Sequence, residues 1–448
     1  MVIADINIGK KEVRVATSQI RDERLVEEVR ARRRLDPVYS QGRFIIDEEA
    51  LMRTALEGLS NALGADAVTV TGIRRTVVVL GEGDEVLLPL LSQRDSLVQT
   101  MDDVACDRTF FDESGSVIQS GNVISQLAAL KADQGQVMER AKCFMFLSDY
   151  IRFRLCGVKA SDFYAAQDAG LTKVGERAWN DELFSRVGLE NLFPPFGEDY
   201  SILGPLSDEV AKEVGYGADV WLTPSDPIVP ASSVMAAGLA LAGWRAGELA
   251  TLVSQPVMGT KAYEAGVRNI AFPEGRLAAL PFSGYELIGR LKDQSREGTN
   301  YDAIEAEARS CQCFDYIDIR DVRLKEGDIL SAIGVMLAEQ GKEAGDRAHL
   351  IAVLYNSVAR YVAGAATLLE ELGGDRADEI FVFGQAAKDQ HLNSLVCMMT
   401  GRRLITSTGF TASALSSLAL LVHEGECDRQ DCLDLIRKAA GVSTYSRA

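Results

Sequence analysis

The sequence has few histidines, and they exclude two common kinds of active site. Its 448 residues include only His349, His391 and His423. His349 and His423 lie in helical patterns with no acidic or cysteine partner at the spacing of metal ligands. A serine–histidine–aspartate triad or a histidine-rich zinc site would need one of these three residues. We therefore expect the chemistry of this chain to use neither.

Long apolar runs and paired cysteines are also missing. The longest apolar stretches, 234–244 and 412–422, are too short to cross a bilayer. The first residues, MVIADINIG, lack the basic segment and cleavage site of a signal peptide. Eight cysteines are scattered, and the one close pair, Cys311 and Cys313, has no second pair to complete a four-ligand site. These features predict a cytoplasmic protein with no membrane partner.

Basic charge is scarce relative to acidic charge. The chain has 47 Lys and Arg against 65 Asp and Glu, a net charge of −18. Such a surface repels a phosphate backbone, which excludes sequence-independent binding of nucleic acid. Hydrophobic residues make up 47% and charged residues 25%, as in globular proteins. The length suggests two or three domains.

Strand and helix patterns alternate along the chain, which predicts an α/β fold. Residues 2–16 are typical of a hairpin that turns at Gly9-Lys10-Lys11. Further strands are predicted at 67–71, 76–80, 219–222, 249–254 and 379–383. Helices are predicted at 47–63, 141–157, 231–244, 348–372 and 391–400.

The pattern restarts near Ala246, so we expect two lobes, 1–246 and 247–448. Ligands usually bind in clefts between lobes. The two halves show no sequence repeat.

Asp226 is the first candidate for chemistry. It follows a predicted strand, precedes a helix and lies between Pro224 and Pro227. A carboxylate in such a turn can take a proton from a substrate hydroxyl, and the helix end favours its ionised form. Aspartate is also among the best helix-capping residues. Spacing alone favours the capping role for Asp226 over the catalytic one.

Two glycine-containing turns are candidates for phosphate binding. Asp5 precedes the hairpin turn, where backbone N–H groups can bind phosphate and the carboxylate can hold hydrated Mg²⁺. Lys10 and Lys11 could neutralise phosphate charge, although a plain surface hairpin predicts the same residues. Gly384 ends a predicted strand and is followed by a predicted helix. Such a junction can bind a nucleotide, but an ordinary strand-to-helix turn has the same pattern.

In order along the chain, several segments resemble those of the FGGY carbohydrate kinases, in particular the rhamnulokinase-like branch. The similar segments are Asp5-Ile-Asn-Ile-Gly9, Leu91-Ser-Gln-Arg94-Asp95, 145–157, 161–168, Trp179-Asn-Asp-Glu-Leu183, 272–291, 314–327, 383–393 and Thr411-Ala412. Their shared order is more specific than any one of them.

The resemblance implies two ribonuclease-H-like lobes, as in actin, hexokinase and Hsp70, around a central cleft. It implies ATP and Mg²⁺ as cofactors and a small sugar as substrate, with a homodimer left open. By position, the family's catalytic aspartate is Asp226, which changes the preferred role from cap to general base. The resemblance also places nucleotide or metal near Asp5, Gly9, Lys10, Ser254, Gln255, Gly384 and Gln385, and sugar near Arg94, Asp95 and Ser225.

The sequence departs from the family where ATP phosphates would bind. Asn7 replaces the glycine of the first hairpin, and Ile8 and Gly9 replace its hydroxyl pair. Ser254-Gln255 replaces a Gly-Thr pair, and Gln385 and Ala386 replace glycines. Side chains are therefore present at positions where the family has glycine, whose backbone a ligand can approach closely. Two hypotheses follow. The chain is a sugar kinase with an unusual nucleotide site, or a pseudokinase that binds a sugar or a protein; we favour the kinase.

Overall fold

A computed structural model describes the chain. It describes residues 1–448 except 10, 74, 100–106, 118–120, 227, 235–238, 244–246, 273–274, 283, 326, 374–375, 408–410, 439–441 and 447–448. Among these described residues, no helix is both long and apolar enough to cross a membrane.

Strands and helices alternate as expected. The strands are β1 Ile3–Ile8, β2 Glu12–Arg21, β3 Arg24–Arg34, β4 Val38–Ser40, β5 Arg43–Ile45, β6 Ala67–Gly72, β7 Val77–Leu80, β8 Cys143–Phe146, β9 Ser201–Pro205, β10 Asp219–Leu222, β11 Leu239–Gly243, β12 Gly247–Val253, β13 Arg268–Phe272, β14 Gly275–Phe282, β15 Glu379–Gly384, β16 Arg403–Ser407 and β17 Val442–Tyr445. The helices are α1 Glu48–Ser60, α2 Arg108–Ser114, α3 Val123–Asp133, α4 Gly135–Met138, α5 Leu147–Cys156, α6 Phe163–Asp168, α7 Asp181–Arg186, α8 Asp208–Val214, α9 Ile228–Val234, α10 Thr260–Ala265, α11 Gly284–Gln294, α12 Tyr301–Ser310, α13 Ile329–Glu339, α14 Arg347–Glu371, α15 Gln390–Thr400, α16 Ala412–His423 and α17 Arg429–Lys438.

The chain divides into two compact units. The first unit comprises Met1–Val234, Pro256–Arg276 and Ala412–Leu435, and the second comprises Met235–Gln255, Leu277–Thr411 and Ile436–Ala448. The expected boundary, Ala246, lies outside the described residues and stays a prediction. The C-terminal helix α16 belongs to the first unit because it packs on β1 and β6.

Each unit is built on a sheet with the same order of strands. In the first unit the order is β3-β2-β1-β6-β10-β9, with β1 antiparallel to β2 and parallel to β6. The second sheet has the order β13-β14-β12-β11-β15-β16-β17, and its last six strands repeat the first arrangement, with β11 antiparallel to β12 and parallel to β15. A hairpin followed by parallel strands on its other side is thus repeated. The expectation of two ribonuclease-H-like α/β lobes is confirmed, although no sequence repeat reveals them.

Two predicted helices are wrong in part. Residues 141–157 form strand β8, which pairs antiparallel with β7, and then helix α5, which ends at Gly157 as expected. Of the described residues in 231–244, residues 231–234 end helix α9 and residues 239–243 form strand β11. Both segments are short apolar runs, and such a run fits a buried strand and a buried helix equally well.

Candidate active site

The carboxyl ends of β1, β6 and β10 meet at one edge of the first sheet. β1 and β6 run parallel from Ile3↔Ala67 to Ile8↔Gly72, and β10 runs parallel to β6. Beyond the strands, the amide of Ile73 donates to the carbonyl of Ile8 (2.9 Å) and that of Gly72 to the carbonyl of Ser225 (3.0 Å). The turn after β10 and the start of the first hairpin therefore lie at the same edge, where ligands of parallel sheets bind.

Asp226 is in that turn, and its two carboxylate oxygens have different neighbours. Oδ1 accepts from the backbone N–H of Ile228 (3.0 Å), at the start of α9. Oδ2 lies 3.6 Å from Nη2 of Arg268. The side chain is only 4% exposed. The capping role and a chemical role are compatible, because one oxygen caps the helix and the other faces a cation.

Arg268 belongs to a row of four alternating charges. Its Nη1 contacts Oδ1 of Asp168 (2.5 Å). Arg75 binds the same carboxylate through two bonds, Nε to Oδ2 (2.9 Å) and Nη2 to Oδ1 (3.1 Å). Such two-pronged pairing fixes geometry as well as charge. The row Arg75, Asp168, Arg268 and Asp226 is electrically balanced, and it holds Arg268 beside Asp226.

A second buried carboxylate holds the turn from the other side. Oδ2 of Asp162 accepts from both the backbone N–H (2.8 Å) and the hydroxyl (2.6 Å) of Ser225. Its Oδ1 accepts from the N–H of Tyr164 (2.9 Å). Ser225 was expected to contact sugar. Its hydroxyl instead donates to Asp162 in this structure.

Behind Asp162 lies the pair Asp149 and Arg152, each 1% exposed. Asp149 accepts from Arg152 (2.7 Å) and from the backbone N–H of Asp162 (3.1 Å). Nη2 of Arg152 donates to the carbonyls of Val70 (2.7 Å) and Thr223 (2.6 Å), which joins β6 to the segment after β10. Burial raises the pKa of Asp149 to about 7.

Asp5 does not have the surroundings of a metal ligand. It is fully buried, and its oxygens accept from the hydroxyls of Thr69 (2.7 Å) and Thr71 (2.8 Å). Burial raises the pKa of Asp5, which favours its neutral form. Among the described residues, no group of three acidic, histidine or cysteine side chains could hold a metal ion. These residues do not fit Mg²⁺ bound through Asp5.

The rest of the first hairpin is compact. The N–H of Gly9 donates to the carbonyl of Glu12 (2.8 Å) and closes the turn, while Lys10 lies outside the described residues. Asn7 Nδ2 donates to Thr71 Oγ1 (2.8 Å). The side chain that replaces the expected glycine is thus held against β6.

Arg94 and Asp95, expected near the sugar, differ in surroundings. Asp95 is buried, and it accepts from the N–H groups of Phe44 (2.8 Å) and Leu97 (3.0 Å) and pairs with Arg43 (3.3 Å). These contacts hold the loop to β5. Arg94 is exposed.

In the second unit, the structure separates residues that the sequence placed together. Gly384 pairs in register with Gly243 at one end of β11, and Gly243 pairs with Gly247 across the hairpin. Thr251 pairs with Leu239 at the other end, and Ser254 and Gln255 follow it. Ser254 and Gln255, both exposed, therefore lie at the opposite end of these strands from Gly384.

The end of β15 leaves its backbone open. Gly384 has φ 76° and ψ −151°, a conformation that only glycine adopts readily. A 3-10 turn, Gln385–Lys388, follows it. Asn393, buried on α15, donates to the carbonyl of Ala386 (3.0 Å) and fixes this turn. A phosphate or a ring of a nucleotide can approach bare backbone here.

Comparison with known proteins now identifies the family. The sequence model of the N-terminal domain of the FGGY family of carbohydrate kinases matches residues 51–224. Residues 51–224 therefore match this family. A rhamnulokinase of Oceanobacillus iheyensis is 23% identical over 83% of this chain and 81% of its own length, and one of Halalkalibacterium halodurans is 23% identical over 92% and 91%. The predicted family and its rhamnulokinase-like branch are confirmed, as is the enzyme class, a sugar kinase.

Solved structures of FGGY kinases show the same fold. A xylulose kinase from Lactobacillus acidophilus superposes with a TM-score of 0.78 over 100% of this chain and 94% of its own, at 15% identity. A glycerol kinase from Plasmodium falciparum with ADP gives 0.76 over 98% and 93%, at 12% identity.

The sequence alone did not identify most of the residues around Asp226. Asp149, Asp162 and Asp168 lie in segments that resemble the family, but nothing in their spacing assigns them a role. Arg75 lies just after the carboxyl end of β6, where ligands of parallel sheets bind. This position could have identified Arg75 as a candidate site residue. Arg268 carries no local signal, since its partners are 42 and 100 positions away in sequence.

Proposed function

We propose that this chain is an ATP-dependent kinase of a small ketose of the rhamnulose or xylulose type, and that Asp226 is its general base. The observation that carries the proposal is the position of Asp226. It is a buried carboxylate at the carboxyl ends of parallel strands, with Oδ1 bonded to the N–H of Ile228 and Oδ2 3.6 Å from Arg268.

The two oxygens of the Asp226 carboxylate have different roles in the proposed reaction. Bound ATP would supply the phosphoryl group. Oδ2 of Asp226 would accept a hydrogen bond from the sugar hydroxyl and then take its proton, while Oδ1 stays bonded to Ile228. Arg268, 3.6 Å away, favours the ionised carboxylate and thus keeps Asp226 ready to receive a proton. Asp162 fixes the preceding residue, which limits movement of the base.

We assign the nucleotide to the end of β15, at Gly384 and the turn that follows. The bare backbone of Gly384 and Gly243 in neighbouring strands fits a phosphate group. Ser254 and Gln255 have no part in this assignment, because they lie at the other end of the strands. Mg²⁺ remains in the proposal without a named ligand, since Asp5 is enclosed.

The surroundings of Asp5 favour a second candidate, a pseudokinase that binds a sugar or a protein. A fully buried Asp5 whose two oxygens accept hydrogen bonds from Thr69 and Thr71 cannot reach a metal without rearrangement. If the same arrangement persists with nucleotide, phosphoryl transfer loses one source of charge stabilisation.

The deciding experiment is a panel of ketoses, aldoses and polyols with Mg-ATP and coupled detection of ADP, beside the Asp226→Asn variant. Turnover of one ketose that the variant loses supports the kinase. Nucleotide binding is measured separately by thermal shift, because ligand at 100 times its Kd stabilises a protein by about 2.7 kcal/mol. Sugar binding without a shift by any nucleotide and without turnover supports the pseudokinase.

Location and oligomeric state are two further points to test. A cytoplasmic location is tested by fractionation of cells that express the full chain. Light scattering of the purified chain measures whether it is a homodimer.

A further inference from the structure

The N-terminus of helix α17 is closed by two aspartates that bind each other's backbone. Oδ1 of Asp428 accepts from the N–H of Asp431 (2.7 Å), and Oδ2 of Asp431 accepts from the N–H of Asp428 (3.1 Å). This reciprocal arrangement is a capping box, with Asp428 at the N-cap and Asp431 at the third helical position. It fixes the direction in which the chain enters the helix.

In such an arrangement, the residue before the N-cap packs against the fourth residue of the helix, normally as an apolar pair. Here these positions are Cys427 and Cys432. Their Sγ atoms are 3.6 Å apart, and the residues are 9% and 0% exposed. The amide of Cys432 also donates to the carbonyl of Asp428 (3.0 Å). The capping box therefore holds two thiols in contact.

We propose that Cys427 and Cys432 are a redox modification site, a dithiol that small peroxides or disulfides oxidise reversibly to a disulfide. A disulfide has an S–S length of about 2.05 Å, so the two sulfur atoms need to approach by roughly 1.5 Å. The capping box already fixes the backbone at the entry to the helix. The proposal does not depend on the kinase reaction.

The two sulfurs have distinct roles in the reaction. Cys427 retains slight exposure, and the hydrogen bond from the Cys432 thiol lowers the pKa of Cys427. The Cys427 thiolate attacks one peroxide oxygen, which gives a sulfenic acid and releases hydroxide. The Cys432 sulfur then attacks the Cys427 sulfur, so the S–S bond forms as the S–O bond breaks. Two thiols and one hydrogen peroxide give one disulfide and two waters.

The other described cysteines do not offer an equal pair. Cys143 and Cys397 are buried, and Cys156 is half-buried. Cys311 and Cys313 are close in sequence and partly exposed, so they are the natural competitor. They lack a capping motif that holds both side chains on one face.

The test treats the native full chain with a small excess of hydrogen peroxide and counts thiols before and after. We expect eight thiols to fall to six, and to return to eight with dithiothreitol. Arg429 lies between the two cysteines, so trypsin yields peptides 404–429 and 430–437, which only the disulfide joins. Detection of the joined pair, 2 mass units (roughly) below the sum of the two reduced peptides, supports the assignment.

Matched variants make the result decisive. Cys427→Ser and Cys432→Ser should each abolish the loss of a thiol pair, whereas Cys311→Ser/Cys313→Ser should leave it intact. Circular dichroism shows that each variant is folded. A link between Cys311 and Cys313, oxidation of Cys427 to sulfinic acid without a link, or a count that stays at eight would each overturn the proposal.

Discussion

Asp162 holds Ser225 by two hydrogen bonds to a single oxygen, one from the amide and one from the hydroxyl. Both residues are buried, and Asp226 follows directly. The position of the proposed base therefore depends on a carboxylate 64 residues earlier in the chain, since 226 − 162 = 64.

Removing this carboxylate should reduce turnover more than sugar binding. We expect Asp162→Ala to lower kcat by about ten- to a hundredfold, because small misplacement of a reacting group has effects of that size. Leaving buried donors unpaired should also cost about 1–3 kcal/mol of stability. Steady-state kinetics and urea unfolding measure the two effects.

Ser225→Ala is the matched control for that variant. It keeps the amide hydrogen bond to Asp162 and loses only the hydroxyl bond. We expect kcat within about threefold of the parent and a stability loss of about 0.5–1.5 kcal/mol. A larger loss of kcat in Ser225→Ala than in Asp162→Ala would show that the hydroxyl itself acts on the substrate.

Asp226→Asn should separate the two roles of Asp226. Asparagine caps helices as well as aspartate, so we expect the stability to change by less than about 1 kcal/mol. It cannot accept a proton, so kcat should fall by about 10²–10⁴. Turnover at the parent rate would leave Asp226 with the capping role alone.

Arg268 should be important for stability, because it lies between two buried carboxylates. We expect Arg268→Gln to destabilise the protein by about 3–5 kcal/mol, the usual cost of breaking a buried ion pair. Arg75→Gln, at a partly exposed side chain, should cost less. The double variant Asp168→Asn/Arg268→Gln should recover part of the loss, and urea unfolding of it and of the single variants Asp168→Asn, Arg268→Gln and Arg75→Gln checks this. Additive losses would show that Asp168 and Arg268 act independently.

The pH dependence of stability should include a contribution from Asp389, at the N-terminus of α15. Burial raises the pKa of Asp389 to about 6, from 3.8 in the unfolded chain. Below about pH 4, Asp389 is protonated in both the folded and the unfolded state. Between about pH 4 and 6, Asp389 is ionised only in the unfolded state, so the free energy of unfolding falls as the pH rises. Above pH 6 Asp389 is ionised in both states, and the loss of stability stays constant.

Asp389→Asn should remove this contribution while keeping the cap on the N–H of Leu392. Relative to the parent, the variant should gain stability as pH rises from 4 to 6, by an amount on the order of 3 kcal/mol, from about 1.4 kcal/mol per pKa unit. Urea unfolding at pH 4, 5, 6 and 7 measures this. A difference that does not change with pH would show that Asp389 titrates normally.

Substitutions at the two ends of the second sheet should affect ATP differently. We expect Gln385→Gly/Ala386→Gly to tighten ATP binding by at least about tenfold, because glycine in the turn after β15 allows its backbone to approach the ligand more closely. Ser254→Gly/Gln255→Thr should leave the affinity unchanged, since these residues follow the far end of β12. Calorimetric titration of both variants compares them directly, and the reverse ranking would place the nucleotide at Ser254.

Local signals were sufficient to predict several elements. The β-branched residues around Gly9 predicted the first hairpin, and Asp47 with its following glutamates predicted the start of α1, where its side chain caps the helix. The strand at 379–384 and the long helix α14 were also clear from pattern. In each case the information lies within one turn or one strand.

Register and long-range pairing could not be predicted in the same way. Placing Ser254 beside Gly384 required the direction of β12, which in turn required recognising β11 as a strand. The apolar residues of β11 gave no period that separates strand from helix. The partners of Asp226 likewise come from distant elements, and their side chains meet only in the folded unit.

Helix α16 has a consequence for the synthesis of the protein on the ribosome. Its residues, 412–423, pack against β1 and β6, which lie near the start of the chain. Residues 1–411 must therefore be made before the first unit can close its core. During translation this unit exposes apolar strand surface while the second unit is being synthesised, which makes the nascent chain a substrate for chaperones.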